Sequence, residues 1–142
     1  MTEDPYRLQR FIDAQNVANT YEHALSELRA GRKSSHWMWF VFPQIAGLGH
    51  SPNAVTYAIS SLAEASAYLA HPLLGPRLLE CTRALAQVTG ASAREILGDI
   101  DAVKLRSSMT LFANAAPREP LFRQVLDRYF DGIADEATEQ RL

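Results

Sequence analysis

The chain has 142 residues, the size of one ordinary domain, with 47% hydrophobic and 21% charged residues, a globular balance that excludes wholesale disorder. Its net charge of −2, from 14 Lys and Arg against 16 Asp and Glu, disfavours bulk binding to nucleic acid. The single Cys81 excludes an internal disulfide and a multi-cysteine zinc site.

The run from Met1 to Arg7 is acidic, then basic, with no apolar signal region behind it, and no stretch is long and apolar enough to span a membrane. A cytoplasmic protein is the expectation. Leu8, Phe11 and Ile12 fall at helical spacing after Pro5. A second helix is expected from about Asn16 or Thr20 to Ala30, with Tyr21, Ala24, Leu25 and Leu28 as its buried stripe and Gly31 as its terminator.

The segment from Ser35 to Ser51 lacks a period. His36-Trp37-Met38-Trp39-Phe40-Val41-Phe42-Pro43 reads either as a short buried strand or, with Ser34 or Ser35 as cap, as a short buried helix. A glycine turn follows through Gly47 and Gly49. Ser51-Pro52 then reads as cap and first residue of a short helix through Tyr57.

Ser61-Leu62-Ala63-Glu64 has the pattern of a capping box opening a helix through Leu69. Pro72 is expected to open the next helix. Its stripe is Leu74, Leu78, Cys81, Leu85 and Val88, and Gly90 ends it. Ser92-Ala93-Arg94-Glu95 repeats the capping-box pattern. Asp99 or Asp101 then caps a helix to about Ala115, with Ala102, Leu105, Met109, Phe112 and Ala113 on its apolar face. The last helix carries Leu121, Phe122, Val125, Leu126, Tyr129 and Phe130, and Gly132 stops it. The polar residues beyond it are expected to fray.

These elements predict an all-α fold: a single compact orthogonal helical domain of five or six helices over residues 1–142, with minor or no strand content. Its ordered core is expected over about 5–132, with a polar tail at 133–142.

Four runs stand in order: Ser35 to Gln44 (SHWMWFVFPQ), Gly47 to Ser51 (GLGHS), His71 to Leu78 (HPLLGPRL) and Lys104 to Phe112 (KLRSSMTLF). Together they resemble a bacterial family of unknown function whose members are often mislabelled calpastatin. The resemblance runs from about Tyr6 to Phe130. It implies a compact helical domain and supplies no substrate and no catalytic residues.

The chemistry therefore rests on the residues. Lys33, Ser34, Ser35 and His36 precede the aromatic run. A glycine turn precedes the helix start at Ser51. Lys104, Arg106, Ser107, Ser108 and Thr110 share one helix, where small hydroxyls are unusual for a plain solvent face. These three groups converge in a first hypothesis, a domain that binds a small phosphate-bearing ligand, a nucleotide or an ADP-ribose-like molecule, with hydrolase activity if there is turnover. Lys33, Lys104 and Arg106 hold phosphate. Trp37 and Trp39 line the base or sugar. Gln44 and Ser107 orient the ligand, and Ser51 and Tyr57 complete the contacts. His36 or His50 moves a proton.

No histidine pair has metal-ligand spacing, so no metal and no cofactor is assigned. Each feature also has a plainer reading: buried core for the aromatic run, caps and turns for the polar segments, and helix caps for Asp99 and Asp101. Cys81 lies on an apolar stripe and reads as buried and inert. The alternative hypothesis is a non-enzymatic protein-interaction module using exposed aromatics or the tail.

Overall fold

The computed structural model describes residues 3–142; Met1 and Thr2, the first residues of the N-terminal run, lie outside it. Asp4 starts the fold by accepting the N–H groups of Leu8 and Gln9 at 2.7 and 2.9 Å. Those bonds cap helix α1 (Gln9–Asn16), which buries Phe11 and Gln15. A 3-10 turn over Val17–Asn19, with Ala18 and Asn19 at positive φ, redirects the chain into α2 (Thr20–Arg29). Its predicted stripe of Tyr21, Ala24, Leu25 and Leu28 is buried. At its end the Arg32 N–H bonds to Glu27 O and the Gly31 N–H to Leu28 O, the paired closure of a Schellman motif.

The aromatic run forms the short helix α3 (Met38–Val41), which decides between the two sequence readings in favour of helix. Neither Ser34 nor Ser35 caps it: Trp37 holds the N-cap position and no side chain bonds there. Trp37, Met38, Val41 and Phe42 are buried because this stretch crosses the core. Then follow α4 (Pro52–Thr56), α5 (Leu62–Ala70), α6 (Leu74–Gln87), α7 (Ala93–Leu97), α8 (Asp99–Ala115), α9 (Leu121–Phe130) and α10 (Glu136–Glu139).

The expectation of five or six helices was too low. The described residues form six helices of eight residues or more, and four further helices of four or five residues. A turn of that length is too short to show a hydrophobic period. No strand is present among them beyond an isolated parallel bridge between Ile45 and Ile59. None of their helices is long and apolar enough to cross a membrane.

Local signals that name a specific bond fared best. Ser51 accepts the Ala54 N–H at 3.2 Å, and Ser92 and Glu95 form both halves of their capping box. The Ser61 box is half formed. Ser61 accepts the Glu64 N–H at 3.1 Å, but the Glu64 carboxylate turns to Ser60 and to Arg10 at 2.9 Å. Pro72 does not open α6. The His71 Nδ1 accepts the N–H groups of Leu73 and Leu74 at 3.0 and 3.3 Å and so caps that helix from before the proline.

Two helices form the frame. α6 packs on α2, α5 and α9, and α8 packs on α5, α7, α9 and α10. Every residue of α8 from Ser107 to Ala113 is buried, so this stretch is enclosed all round. A row of rings joins the layers: Phe11 meets Tyr68 at 5.1 Å, Tyr68 meets Phe112 at 5.5 Å, and Phe112 meets Phe122 at 5.8 Å.

Where a fraying tail was expected, the structure has hydrogen-bonded residues beyond 132 and a further short helix, α10. The Arg106 guanidinium donates to Ile133 O and Ala134 O at 2.8 and 2.9 Å. Thr110 accepts the Asp135 N–H at 2.9 Å, and the Asp135 carboxylate caps α10 through Thr138, which is fully buried. This tail lacks an apolar stripe, and polar bonds to α8 hold it instead.

Candidate functional site

Two clefts open beside the first half of α8. The first, of about 520 Å³, is lined by Lys33, His36, Trp39, Gly98, Asp101 and Lys104 among others. The second, of about 530 Å³, is lined among others by Gln44, His50, Ser51, Val103, Ser107 and Asp135. Ile100 and Lys104 line both, so one turn of α8 forms the ridge between them.

The loop that walls the first cleft is fixed from α2. Glu27 accepts hydrogen bonds from the N–H groups of Ser34 and Ser35 at 2.7 and 3.0 Å, from the Ser35 hydroxyl, and from Trp37 Nε1 at 2.9 Å. Burial pushes the Glu27 carboxyl upward, but the bonds from Ser35, Ser34 and Trp37 outweigh it and hold the carboxyl at about 2. The sequence analysis missed this residue. Its sign was a single Glu on the polar side of α2, which nothing local distinguishes from a solvated one.

Asp101 collects both lysines. Lys33 Nζ lies 2.9 Å from its Oδ2 and Lys104 Nζ 3.4 Å from its Oδ1. Contrary to the expectation from sequence that one of them caps α8, neither Asp99 nor Asp101 does so. Gly98 holds the N-cap position with no side-chain bond, Asp99 pairs with Arg94, and both acids sit in the first turn. One carboxylate thus faces two ammonium groups.

The two lysines are not equally satisfied. Lys33 Nζ also donates to Ser35 O at 2.6 Å and lies 5.1 Å from the centre of the Trp37 ring, with its side chain only 9% exposed. Lys104 has the longer ion pair and the face of Trp39 at 4.7 Å. It keeps donor capacity for a further partner. Trp39 Nε1 is buried in the wall of the first cleft without a hydrogen-bond partner.

The predicted site residues divide as follows. Lys33, His36, Trp39 and Lys104 meet at the first cleft. Gln44, His50, Ser51 and Ser107 meet at the second, with Lys104 on its edge. Three residues need correction. Trp37 is fully buried and bonded to Glu27, because the chain turns it inward, so it is a core residue and not a wall of either cleft. Arg106 is committed to the carbonyls of Ile133 and Ala134. Tyr57 packs against Phe11 and Phe40 at 5.8 and 4.8 Å and lines neither cleft.

The hydroxyls of α8 have structural partners. Ser107 donates to Val103 O and Asp135 Oδ2, each at 3.2 Å, and Thr110 donates to Arg106 O at 2.8 Å. Only Ser108 Oγ, fully buried, is without a partner. The glycine turn lies against the C-terminal helix, with Arg141 reaching Gly47 O at 3.4 Å. The start of α4 is already capped by Ser51. Asp135 was not foreseen as a wall residue, because its segment was taken for a frayed tail.

Cys81 is buried, and burial followed by the nearby Glu80 charge pushes its thiol up to about 12, so it is inert at neutral pH. Among the described residues no group of three or more His, Cys, Asp or Glu side chains is placed to hold a metal ion.

Fold and clefts together define a single-chain helical domain with a lysine-bearing ridge between two surface clefts. The chain belongs to a family described as protein of unknown function (DUF1810), whose model matches residues 5–142. A conserved hypothetical protein from Mycobacterium tuberculosis, Rv1873, known from a crystal structure, is similar to it. The two share 55% identity over 98% of each chain, with a TM-score of 0.95. No curated protein matches.

Proposed function

We propose that this domain binds a small phosphate-bearing ligand, a nucleotide or an ADP-ribose-like molecule, at the clefts that meet on Lys104. The observation that carries this reading is the half-satisfied Lys104 ammonium, 3.4 Å from a carboxylate already paired with Lys33 and 4.7 Å above the Trp39 ring. The spare donor capacity of the Lys104 ammonium suits an anionic acceptor, and the indole beside it favours a flat group. Lys33 supports the site through Asp101. Gln44, Ser51 and Ser107 offer polar contacts in the second cleft. Hydrolysis of the bound ligand is the catalytic extension of this reading. His36 at one cleft and His50 at the other are the groups that would move a proton.

The test is a thermal-shift screen of the purified protein with nucleotides, ADP-ribose, sugar phosphates and inorganic phosphate. A ligand at 100 times its dissociation constant stabilises the native state by about 2.7 kcal/mol, a shift of several degrees. The stabilising ligand is expected to lose its effect in Lys104→Ala. His36→Ala and His50→Ala then separate binding from turnover. A panel without a hit, or a hit indifferent to Lys104, overturns the reading.

A second reading, a protein-interaction module, is favoured by Ile100 and Val103, which are 74% and 63% exposed on adjacent turns of α8. Light scattering of the purified chain, alone and at high concentration, tests self-association through that face.

A further inference from the structure

The two clefts are each the size of a ligand moiety, and small-molecule sites span about 300–1,000 Å³. They hold about 520 and 530 Å³ and are joined side by side, since Ile100 and Lys104 line both. These two residues are one helical turn apart, so their side chains form a narrow ridge about 6 Å long. A ligand confined to one cleft leaves half of this concavity empty.

The lobes differ in chemistry. The first has the Trp39 indole in its wall, with Lys104 over the ring. The second lobe is lined by the apolar side chains of Leu48, Ala54 and Val103 and by the Asp135 carboxylate. Asp135 Oδ2 accepts from Ser107 Oγ, the Thr138 N–H and Thr138 Oγ1 at 3.2, 3.0 and 2.6 Å. Its Oδ1 accepts no hydrogen bond among the described residues, so one carboxylate oxygen remains for hydroxyl donors of a ligand.

Resting on the phosphate-ligand reading above, the geometry points to a bipartite ligand: two moieties joined by a phosphate or diphosphate that crosses the Ile100–Lys104 ridge. Lys104 meets the bridging phosphate. A flat heterocycle occupies the first lobe, beside the Trp39 indole. A polyhydroxylated moiety, a sugar, occupies the second lobe, where Asp135 Oδ1 accepts from its hydroxyls.

Calorimetric titration with ADP-ribose, AMP and ribose 5-phosphate tests this on the wild type, Lys104→Ala, His36→Trp and Val103→Trp. His36 and Val103 are both exposed, so each added indole fills its own lobe without entering the core. ADP-ribose is expected to bind at least about 100-fold tighter than either half, as linked ligands do. His36→Trp is expected to abolish AMP binding and spare ribose 5-phosphate, and Val103→Trp to do the reverse. Each reduces ADP-ribose to the affinity of the remaining half. His50→Trp, at another residue lining that lobe, repeats the second-lobe result should Val103→Trp fail to fold. If AMP binds as tightly as ADP-ribose and ignores both second-lobe variants while still requiring Lys104, the bipartite inference falls and the phosphate-ligand reading stands. If none of the probes binds, both fall.

Discussion

The Glu27 carboxylate accepts the Trp37 indole N–H at 2.9 Å, and this bond fixes where the aromatic run enters the core. Trp37 is fully buried, so its N–H would otherwise be an unsatisfied donor. The same carboxylate holds Ser34 and Ser35. Burial raises the Glu27 carboxyl, but the bonds from Ser35, Ser34 and Trp37 prevail and bring it to about 2, against an ordinary 4.5. A carboxyl held low in the folded chain contributes its stability in full above the unfolded value of 4.5, and loses it as pH falls through about 2. Glu27→Gln is expected to cost about 1–2 kcal/mol at neutral pH and to flatten the acid-side decline between pH 4.5 and 2. Urea unfolding at a series of pH values measures both. Parallel curves for variant and wild type would contradict the assignment.

Ser108 Oγ is buried in the enclosed half of α8 with no partner. Replacing it with Ala removes an unsatisfied hydroxyl at almost constant volume and improves helix propensity. Ser108→Ala is expected to stabilise the fold by about 1 kcal/mol, raising Tm by about 3–5 °C. A lower Tm would mean that the hydroxyl has a partner that matters.

The C-terminal helix is tied to α8 through Asp135, which bonds Ser107, Thr110 and Thr138. Asp135→Ala is expected to release residues 136–141 while the core stays folded. Hydrogen exchange of their amides should rise by at least tenfold, with protection in α6 and α9 unchanged. Unaltered exchange would show that the Arg106 bonds and the backbone N–H of residue 135 to Thr110, which the substitution leaves in place, suffice to secure the tail.

Gly75 packs α6 against the end of α5 so closely that a Cβ there would lie 2.0 Å from Leu69 O. The obstacle is backbone and does not yield by a rotamer change. Gly75→Ala is expected to destabilise by at least about 3 kcal/mol or to prevent folding, as denaturation or soluble yield will report. Stability within about 0.5 kcal/mol of the wild type would show that the two helices can separate at little cost.

The helices with an apolar period could be read in advance, because the period and its caps lie within a few residues of one another. Leu74, Leu78, Cys81 and Leu85 form a stripe legible in the sequence, and Ser51 and Ser92 mark helix starts that the structure has. The short α3 did not declare itself, since a run of large apolar residues has no period to read. Asp101 misled for a related reason. Near a helix start, an Asp reads as a cap until Lys33, distant in sequence, arrives 2.9 Å from it.

By itself the sequence determined the helical class, the main buried stripes and the segments where polar and aromatic residues gather, because propensity, period and capping act over one or two turns. Only the tertiary structure decided which of those residues meet. It turned Trp37 inward and assigned Arg106 to the tail carbonyls. It also set Lys104 on a ridge between two clefts. Those outcomes depend on long-range packing of α8 against its neighbours. An ion pair or a cleft wall forms between residues that no local pattern relates.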